Sequence, residues 1–357
     1  MVDMPRFENG EPGNGQGCLV VAELSANHNG SFSRAADTVR AAKQAGADAV
    51  KLQTYTADTL TIDCPAERFR IRGGTPWDGK TLYELYREAY TPWEWQPELK
   101  RLADELGLIL FSSPFDATAV DFLEKMDVPA HKIASLELVD DELLAVVART
   151  RKPVFLATGL ADAEEIEHAL EVLDRNGSGE VVLLHCISSY PAKTEEMNIR
   201  TIPDLAARFG RPVGLSDHST THTAALAAVA LGACVIEKHF TLDRAAGGPD
   251  AAFSLEPEEL RELVRAVREA ESALGTVHYG PVAGEAASLV FRRSLSAVAD
   301  IREGERFTPE NIRSIRPGGG LAPRYLPEIL GRMAAKPIRR GEALSWDKVS
   351  EYPDHSA

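Results

Sequence analysis

Two histidines in the second half of the chain stand where short apolar segments end. The first segment, "VGLSDH", ends at His218, and the second, "VIEKH", ends at His239. If both segments are strands of one parallel sheet, the residues at their carboxyl ends gather at the same edge. Two imidazoles at such an edge suit a divalent metal that keeps open positions for water and substrate. The alternative is that each histidine is a surface residue where a strand meets its loop.

Other apolar segments also end in polar residues of chemically useful types. These residues are Glu23, Lys51, Gln53, Ser113, Lys132, Ser135, Thr158, Tyr190, Ser216 and Glu237. A lysine inside a fold is costly unless an anion neutralises it. Two lysines among several hydroxyls therefore indicate a site for a phosphate or a carboxylate. A plain salt bridge to Glu23 explains Lys51 equally well, and Asp217 has a simple interpretation as a residue that orients its loop.

Eight strand-like segments position these residues. They cover 18–24, 48–55, 108–114, 131–137, 153–159, 181–188, 212–218 and 234–240. Helix-like segments separate them, including one after 90 in which Thr91 is the predicted N-cap and Pro92 the first helical residue. The alternation predicts a closed (β/α)8 TIM barrel over residues 18–276, with its site at the carboxyl ends of the strands. An open, doubly wound sheet is the alternative, but no glycine-rich dinucleotide fingerprint follows the first segment.

Four segments do not fit the barrel repeat. Residues 1–17 are predicted to be a flexible lead-in, 277–291 a linker, and 292–357 a small second domain with short strands and turns. The segment 56–90 is too long for an ordinary connection, which is typical of a lid or a binding loop. Its aromatic residues are interpreted first as packing within such a lid.

Composition restricts the classes of partner. The chain has 357 residues, a net charge of −15 and a pI of about 5.1, so we expect neither nucleic acid nor an anionic membrane as a partner. The start of the chain lacks the apolar core of a secretory signal, and the apolar stretch 224–236 is too short to cross a bilayer. The four cysteines lack CxxC spacing and are expected to be reduced and buried, which predicts a cytoplasmic protein.

Several separated motifs together resemble one enzyme family. The motifs are "AELSANHNGS", "ADAVKLQTYTADTLT", "FSSPFD", "KIAS", "VGLSDHS" and "VIEKHFTLDR", followed by "GPDAAFSLEPEE". They resemble the sialic acid synthase family, the phosphoenolpyruvate-dependent nonulosonic acid synthases, in the same order over nearly the whole chain. The "RSIRPGGGL" of the tail resembles that family's antifreeze-like (SAF) domain. Within the family, "GGTPWDGKTLYELYREAYTPWEW" is most similar to the pseudaminic acid synthases.

The resemblance implies a chemistry and a set of site residues. Family members condense phosphoenolpyruvate with an acylamino sugar and use a divalent metal, typically Mn²⁺ or Mg²⁺. The implied catalytic residues are Glu23 and the metal ligands His218 and His239. The implied substrate contacts are Lys51, Gln53, Ser113, Lys132, Ser135, Thr158, Tyr190, Ser216, Asp250 and Arg316. Ala157 stands where a serine is common in the family, so Thr158 or a backbone N–H is expected to supply that hydrogen bond to phosphate.

For this chain the resemblance implies a 2,4-diacetamido-2,4,6-trideoxyhexose of the altrose type as the sugar and pseudaminic acid as the product. Phe69, Trp77, Tyr83 and Tyr86 of the long insertion are available to cover the sugar's methyl group. The alternative within the family is an N-acetylneuraminate or legionaminate synthase, acting on N-acetylmannosamine or a diacetamido-trideoxymannose. The family pattern also implies a domain-swapped homodimer in which Arg316 reaches the partner's site.

Two other classes of function remain open from the residues alone. A class I aldolase would use Lys51 or Lys132 as a Schiff base and would need no metal. A barrel hydrolase with a metal is disfavoured because no HxH motif follows the first strand-like segment. A non-catalytic carbohydrate-binding protein would explain the antifreeze-like tail, but it would not explain the polar strand ends.

Overall fold

Eight parallel strands close into a barrel between residues 19 and 239. In this computed structural model they are β1 (Leu19–Glu23), β2 (Ala49–Thr54), β3 (Ile109–Pro114), β4 (His131–Ile133), β5 (Val154–Ala157), β6 (Val181–Cys186), β7 (Val213–Asp217) and β8 (Val235–His239). Each strand pairs with the next, and β8 pairs with β1. The predicted (β/α)8 barrel is therefore confirmed. The fourth segment is shorter than expected, since the chain after β4 forms a 3-10 turn over Ser135–Glu137.

The structure describes residues 7–8, 11–12 and 17–350, so the predicted lead-in falls almost wholly outside the described residues. Phe7–Glu8 pairs with Glu11–Pro12 as a short antiparallel ladder. The chain divides into two compact units, Met1–Gly275 and Thr276–Ala357. In the described part of the chain, no helix is both long and apolar enough to cross a bilayer.

Ten helices accompany the strands in the described part of the first unit. They are α1 (Phe32–Ala45), α2 (Ala57–Leu60), α3 (Leu82–Ala89), α4 (Gln96–Leu106), α5 (Ala117–Lys125), α6 (Asp141–Arg149), α7 (Ala163–Arg175), α8 (Thr201–Phe209), α9 (Thr223–Ala230) and α10 (Pro257–Leu274). Local sequence explains several of their ends. Ser31 caps α1, and Asp116 caps α5 by accepting hydrogen bonds from the free N–H groups of the first turn. Gly46 ends α1 in the left-handed conformation.

The predicted start of the fourth helix is wrong. α4 begins at Gln96, after a 3-10 turn over Trp93–Trp95, and Thr91 does not cap it. Pro97 explains the difference, because a proline lacks the N–H that an interior helical residue donates to the carbonyl four residues earlier. Pro97 is accommodated only in the first turn, so the helix cannot begin as early as Pro92.

Strand alternation separates two apolar cores. Side chains such as Val21, Phe111 and Phe155 fill the lower interior of the barrel. The alternate residues, such as Val20 and Leu156, point outward and pack against the helices. Successive side chains of a strand point to opposite faces, so the same alternation turns the polar residues at the strand ends into the mouth of the barrel.

The second unit has its own small core. Its strands β9 (Ser294–Ala297) and β10 (Ile312–Ile315) pair antiparallel, and one short helix, α11, spans Leu326–Ile329. Leu295, Phe307 and Ile338 belong to its buried cluster. Every residue from 272 to 293 is exposed, including the 3-10 helix Ala283–Phe291.

All four cysteines are unpaired, as expected, but one of them is not buried. Cys18, Cys186 and Cys234 are buried, whereas Cys64 is half-buried. Cys64 differs because it lies in the long insertion, outside the strands that bury the other three.

Candidate active site

Four charged side chains lie above the apolar interior of the barrel. The strand register places Glu23 beside Lys51 on β2 and beside His239 on β8. Lys51 Nζ lies 2.5 Å from Glu23 Oε2 and 3.7 Å from Glu237 Oε1. Lys132 Nζ lies 3.1 Å from the same Glu237 oxygen. Glu23, Lys51, Glu237 and Lys132 thus form one buried chain of alternating charge, which we call the ion cluster.

The protonation states of the ion cluster follow from its burial and from the alternation of its acidic and basic side chains. No member is more than 4% exposed, and burial disfavours every charged form. Burial raises the pKa of Glu23, although Lys51 acts against it. Burial alone would also raise the pKa of Glu237, but Lys132 and Lys51 hold it below its usual range. Burial would lower the pKa of Lys51, but Glu23 and Glu237 raise it. Lys51 is therefore an ammonium, and Glu23 is the carboxylate that most readily gains a proton.

A polar arm extends from the ion cluster to the loop after β8. Glu23 Oε1 accepts hydrogen bonds from Ser25 N at 3.0 Å and from Gln53 Nε2 at 3.3 Å. The Ser25 hydroxyl in turn donates to the buried carboxylate of Asp250, which also accepts from Ala26 N at 3.2 Å. Gln53 and Asp250, both predicted site residues, are thus brought together with Glu23.

Serine hydroxyls surround the ion cluster and form a second group nearby. Ser113 accepts a hydrogen bond from Lys51, and Ser216 donates to Glu237 at 3.1 Å. Between the loop after β5 and the turn after β4, Gly159 N donates to Ser135 Oγ at 3.2 Å. A Cβ at Gly159 would lie only 2.5 Å from Ser188 Oγ and 2.7 Å from Ser135 Oγ. Ser135, Gly159 and Ser188 therefore converge on one small space, which we call the hydroxyl cradle.

Thr158 does not point a free hydroxyl into this cradle. Its hydroxyl donates to Leu184 O at 3.3 Å, on the neighbouring strand. Ala157 is buried at the end of β5 and offers no side-chain donor. Near this position lie the N–H of Gly159, which donates to Ser135 Oγ, and the hydroxyls of Ser135 and Ser188.

His218 and His239 lie side by side at the mouth, with ring centroids 5.2 Å apart. His218 Nδ1 lies 3.0 Å from Ile187 O, which accepts its proton, so Nε2 is the nitrogen left to bind a metal. Burial would lower the pKa of His218, but the neighbouring Cys186 and Glu237 raise it above its usual range, so a metal would displace the Nε2 proton. His239 Nδ1 is buried without a hydrogen-bond partner among residues 17–350. Burial and the charge of His218 lower the pKa of His239 well below its usual range, so its imidazole is neutral.

These features fit a metal ion held by two imidazoles. A metal-binding histidine typically has one ring nitrogen fixed by a carbonyl and the other free, as in His218. A neutral imidazole with an unused buried nitrogen, as in His239, is also a competent ligand. Within residues 17–350, no group of three or more His, Cys, Asp or Glu side chains is arranged to hold a metal. The protein therefore offers two ligands here.

An aromatic wall covers the two histidines. The Tyr190 ring lies 4.5 Å from that of His218, and the Phe253 ring lies 5.0 Å from that of His239. Trp77 packs on Tyr190 at 5.5 Å. We call Trp77, Tyr190 and Phe253 the aromatic wall. It gives the mouth one apolar side opposite the polar ion cluster.

Of its four named aromatic residues, the long insertion contributes Trp77 to the aromatic wall. Trp77 Nε1 donates to Pro249 O at 2.8 Å, which ties the insertion to the loop after β8. The other three have contacts elsewhere: Phe69 with Arg68, Tyr83 with Asp58, and Tyr86 with Tyr55. Arg316 is exposed and belongs to the second unit, at the end of β10.

Three residues of the site were not among the predicted substrate contacts. Glu237 was noted at a strand end, but its role as counter-ion to both lysines depends on β4 and β8 facing each other across the barrel. Ser188 enters the hydroxyl cradle by the fold of its loop. Glu137, in the turn after β4, has a buried Oε2 without a hydrogen-bond partner in the described structure, and burial raises its pKa to about 7. No sequence signal distinguishes Glu137 from a surface glutamate.

Comparison with known proteins agrees with this fold. The profile of the NeuB family matches residues 38–279, and the SAF domain profile matches residues 292–350. A Campylobacter jejuni protein named pseudaminic acid synthase is 45% identical over 91% of this chain and 95% of its own length. A Helicobacter pylori protein of the same name is 41% identical over 92% of this chain and 97% of its own. The crystal structure of a sialic acid synthetase from Leptospira borgpetersenii superposes with a TM-score of 0.69, at 31% identity, over 81% of this chain and 97% of that one.

The raised pKa of Glu137 predicts a pH-dependent stability. The folded protein holds this proton up to about pH 7, whereas the unfolded chain releases it near 4.5, so the free energy of unfolding falls as the pH rises through this window. Glu137→Gln keeps the shape without the ionisation. Its stability relative to the wild type is expected to rise by about 2 kcal/mol between about pH 5 and pH 8 in urea unfolding. A constant difference across this range would contradict the assignment.

Proposed function

Because the chain belongs to the NeuB family, we propose that it condenses phosphoenolpyruvate with a 2,4-diacetamido-2,4,6-trideoxyhexose of the altrose type to give pseudaminic acid and phosphate. The observation that supports this most strongly is the ion cluster beside the hydroxyl cradle. Lys132 donates hydrogen bonds only to the two oxygens of Glu237 among the described residues, so its third N–H donor is available for an anion. The site thus has an anion-binding side for phosphoenolpyruvate and an apolar side for the sugar.

The lysines and the cradle bind and orient phosphoenolpyruvate. Lys51 and Lys132, with Ser113 and Ser216, take its charged oxygens, while the hydroxyl cradle donates to a phosphate oxygen. Holding two substrates in one geometry removes much of the entropic cost of a bimolecular step. C3 of the enolpyruvate then forms a bond to the aldehyde carbon of the sugar. Water adds at C2, and the C2–O bond breaks, so that phosphate leaves with its bridging oxygen.

Glu23 is the residue that manages a proton during these steps. Its carboxylate lies between Lys51 and His239, and burial raises its pKa towards a value at which it can both give and accept a proton. Lys51 is held as an ammonium, which argues against the class I aldolase, because a Schiff base needs a neutral amine.

A divalent metal, Mn²⁺ or Mg²⁺, belongs at His218 and His239. When bound there, it would supply Lewis acidity to the sugar's carbonyl oxygen. The unused nitrogens of the two imidazoles support this placement, and water and substrate oxygens would complete the ligand set. The neighbouring carboxylates of the ion cluster are committed to lysines.

Removal of the metal is expected to stop the reaction. Excess chelator should lower phosphate release by at least about a hundredfold, and Mn²⁺ should restore it, because carbonyl polarisation is worth several kcal/mol. His218→Ala and His239→Ala should each abolish Mn²⁺ binding measured by calorimetry. His168→Gln, an exposed histidine on α7, is the matched control and should bind Mn²⁺ like the wild type. Full activity in excess chelator would reject the metal.

The aromatic wall supports a sugar with a methyl group at C6. An apolar surface built from Trp77, Tyr190 and Phe253 gains by covering a methyl group and gains little from a hydroxyl. A hydrophobic pocket rejects the hydroxyl only modestly, so the preference is one of degree. Both pseudaminic acid synthases compared above match this chain over almost their full length.

A panel of sugars tests this substrate. Phosphate release and product mass are measured with the trideoxyhexose of the altrose type, its legionaminic isomer and N-acetylmannosamine. The altrose type is expected to have the highest kcat/KM. Trp77→Ala should lower that value by roughly tenfold to a hundredfold. Tyr83→Phe, which removes only a hydrogen bond to Asp58, should leave it unchanged. A higher kcat/KM for N-acetylmannosamine or the legionaminic isomer would show that the pseudaminic assignment is wrong.

The working enzyme is a domain-swapped homodimer in which Arg316 of one chain reaches the barrel of its partner. The exposed stretch 272–293 supports this. Val277, Tyr279 and Phe291 on it are 90%, 93% and 60% exposed, and large apolar side chains gathered in one exposed segment usually have a partner surface. An exposed guanidinium is suited to orient a polar sugar at a site completed by a second chain.

Complementation between two inactive variants tests the exchange. His218→Ala and Arg316→Ala are co-expressed in equal amounts, so that about half of the dimers are mixed. If the small domain serves the partner's barrel, each mixed dimer has one intact site, and about a quarter of the wild-type activity should return. No recovered activity would mean that each tail serves its own barrel. Substantial activity of Arg316→Ala alone would exclude Arg316 from the site.

A further inference from the structure

Directly behind the two histidines, an ion pair lies on the outer face of the same strands. Asp217 and Lys238 are register partners on β7 and β8. Their Nζ–Oδ2 distance is 2.9 Å, and neither side chain is more than 1% exposed. Because successive strand residues point to opposite faces, this pair faces the helices while His218 and His239 face the mouth.

The ammonium of Lys238 forms hydrogen bonds to the backbone in addition to its ion pair with Asp217. It donates to Ser219 O at 2.5 Å and to Thr221 O at 3.2 Å, in addition to Asp217. The other oxygen of Asp217 accepts from Ser219 N at 2.8 Å. An ammonium has three N–H donors, so this set satisfies it completely. One buried cation thus holds the Asp217 side chain before His218 and two backbone carbonyls after it.

The same cation is part of the strand that carries the second histidine. Lys238 stands between Glu237, which faces the ion cluster, and His239. Its bonds to the loop after β7 therefore join the ends of β7 and β8 beyond the last ladder pair, Lys238 with Asp217. At this point the sheet itself no longer fixes the distance between the two imidazoles.

We propose that Lys238, through Asp217 and the carbonyls of Ser219 and Thr221, is the positioning residue that sets the spacing of His218 and His239 for a divalent metal. The inference rests on the proposed metal at these histidines. Lys238 touches neither substrate nor metal and acts through the backbone of the two strand ends. Residues that orient metal ligands typically affect metal affinity by about tenfold to a hundredfold.

Lys238→Met tests this role, because it keeps the length of the side chain and removes the ammonium. Calorimetry with Mn²⁺ alone should give a dissociation constant raised by about tenfold or more. Affinity for phosphoenolpyruvate, measured in chelator, should stay within about twofold of wild type, because β2 and β4 hold Lys51 and Lys132. A general loss of structure would weaken both ligands together.

A second variant separates positioning from stability. Removing one partner of a buried ion pair destabilises a protein, whereas replacing both by uncharged groups is often tolerated. Asp217→Asn combined with Lys238→Met should therefore unfold at a temperature closer to the wild type than Lys238→Met alone, yet keep the weak Mn²⁺ binding. Arg268→Met, which removes the ion pair to Asp48 before β2, is the control and should bind Mn²⁺ normally.

The outcomes distinguish this inference from the proposed function. If the wild type takes up no Mn²⁺, the proposed metal fails. If the wild type binds Mn²⁺ and the folded double variant binds it equally well, the metal stands and the positioning role of Lys238 is overturned. Parallel losses of Mn²⁺ and phosphoenolpyruvate affinity would also overturn it, because they would indicate a structural role only.

Discussion

Charge neutrality in a buried space is the constraint on which the site depends. Two ammonium groups and two carboxylates occupy the mouth of the barrel, and no member of the ion cluster is more than 4% exposed. A lone buried charge would carry a desolvation cost of several kcal/mol, so each member requires the others. The alternation of Glu23, Lys51, Glu237 and Lys132 meets this requirement. Below them, apolar side chains fill the lower interior of the barrel.

Successive residues of β7 and β8 point to opposite faces of the barrel wall, so neighbouring residues make different contacts. Ser216 and Glu237 face the anion side of the mouth, whereas Asp217 and Lys238 face the helices. Polar residues therefore face the mouth, and an ion pair lies one residue along each strand on the outer face. A shift of either strand by one residue would turn Ser216 or Glu237 towards the helices and Asp217 or Lys238 into the mouth.

The alternation of apolar segments and the polar residues at their ends predict much of this fold and site from the sequence. The eight strands, the helices between them and the polar residues at the carboxyl ends follow from alternation and from the geometry of a closed parallel barrel. The salt bridge of Lys51 with Glu23, which is the plain interpretation of that lysine, is present. This salt bridge is compatible with the proposed anion site, since a buried lysine needs a carboxylate as its counter-ion.

The missed features depend on contacts across the barrel or on loop conformation. Glu237 meets Lys132 from a strand on the opposite side, and no pattern within one segment encodes that distance. The start of α4 differs from the prediction because Pro97 is accommodated only in the first turn of a helix, which places that turn after Pro92. The hydroxyl cradle and the buried oxygen of Glu137 arise from turns whose shape local propensity does not determine.

The most direct measurement is the affinity of phosphoenolpyruvate for the protein in chelator, without sugar, in the wild type and in Lys132→Met. If the lysines of the ion cluster receive the anion, the wild type binds and Lys132→Met binds about tenfold to a hundredfold more weakly, as expected for the loss of a charge-assisted hydrogen bond. Lys100→Met, which removes a buried lysine of α4 that pairs with Asp104, is expected to bind like the wild type. Equal affinity of Lys132→Met and the wild type would contradict the account.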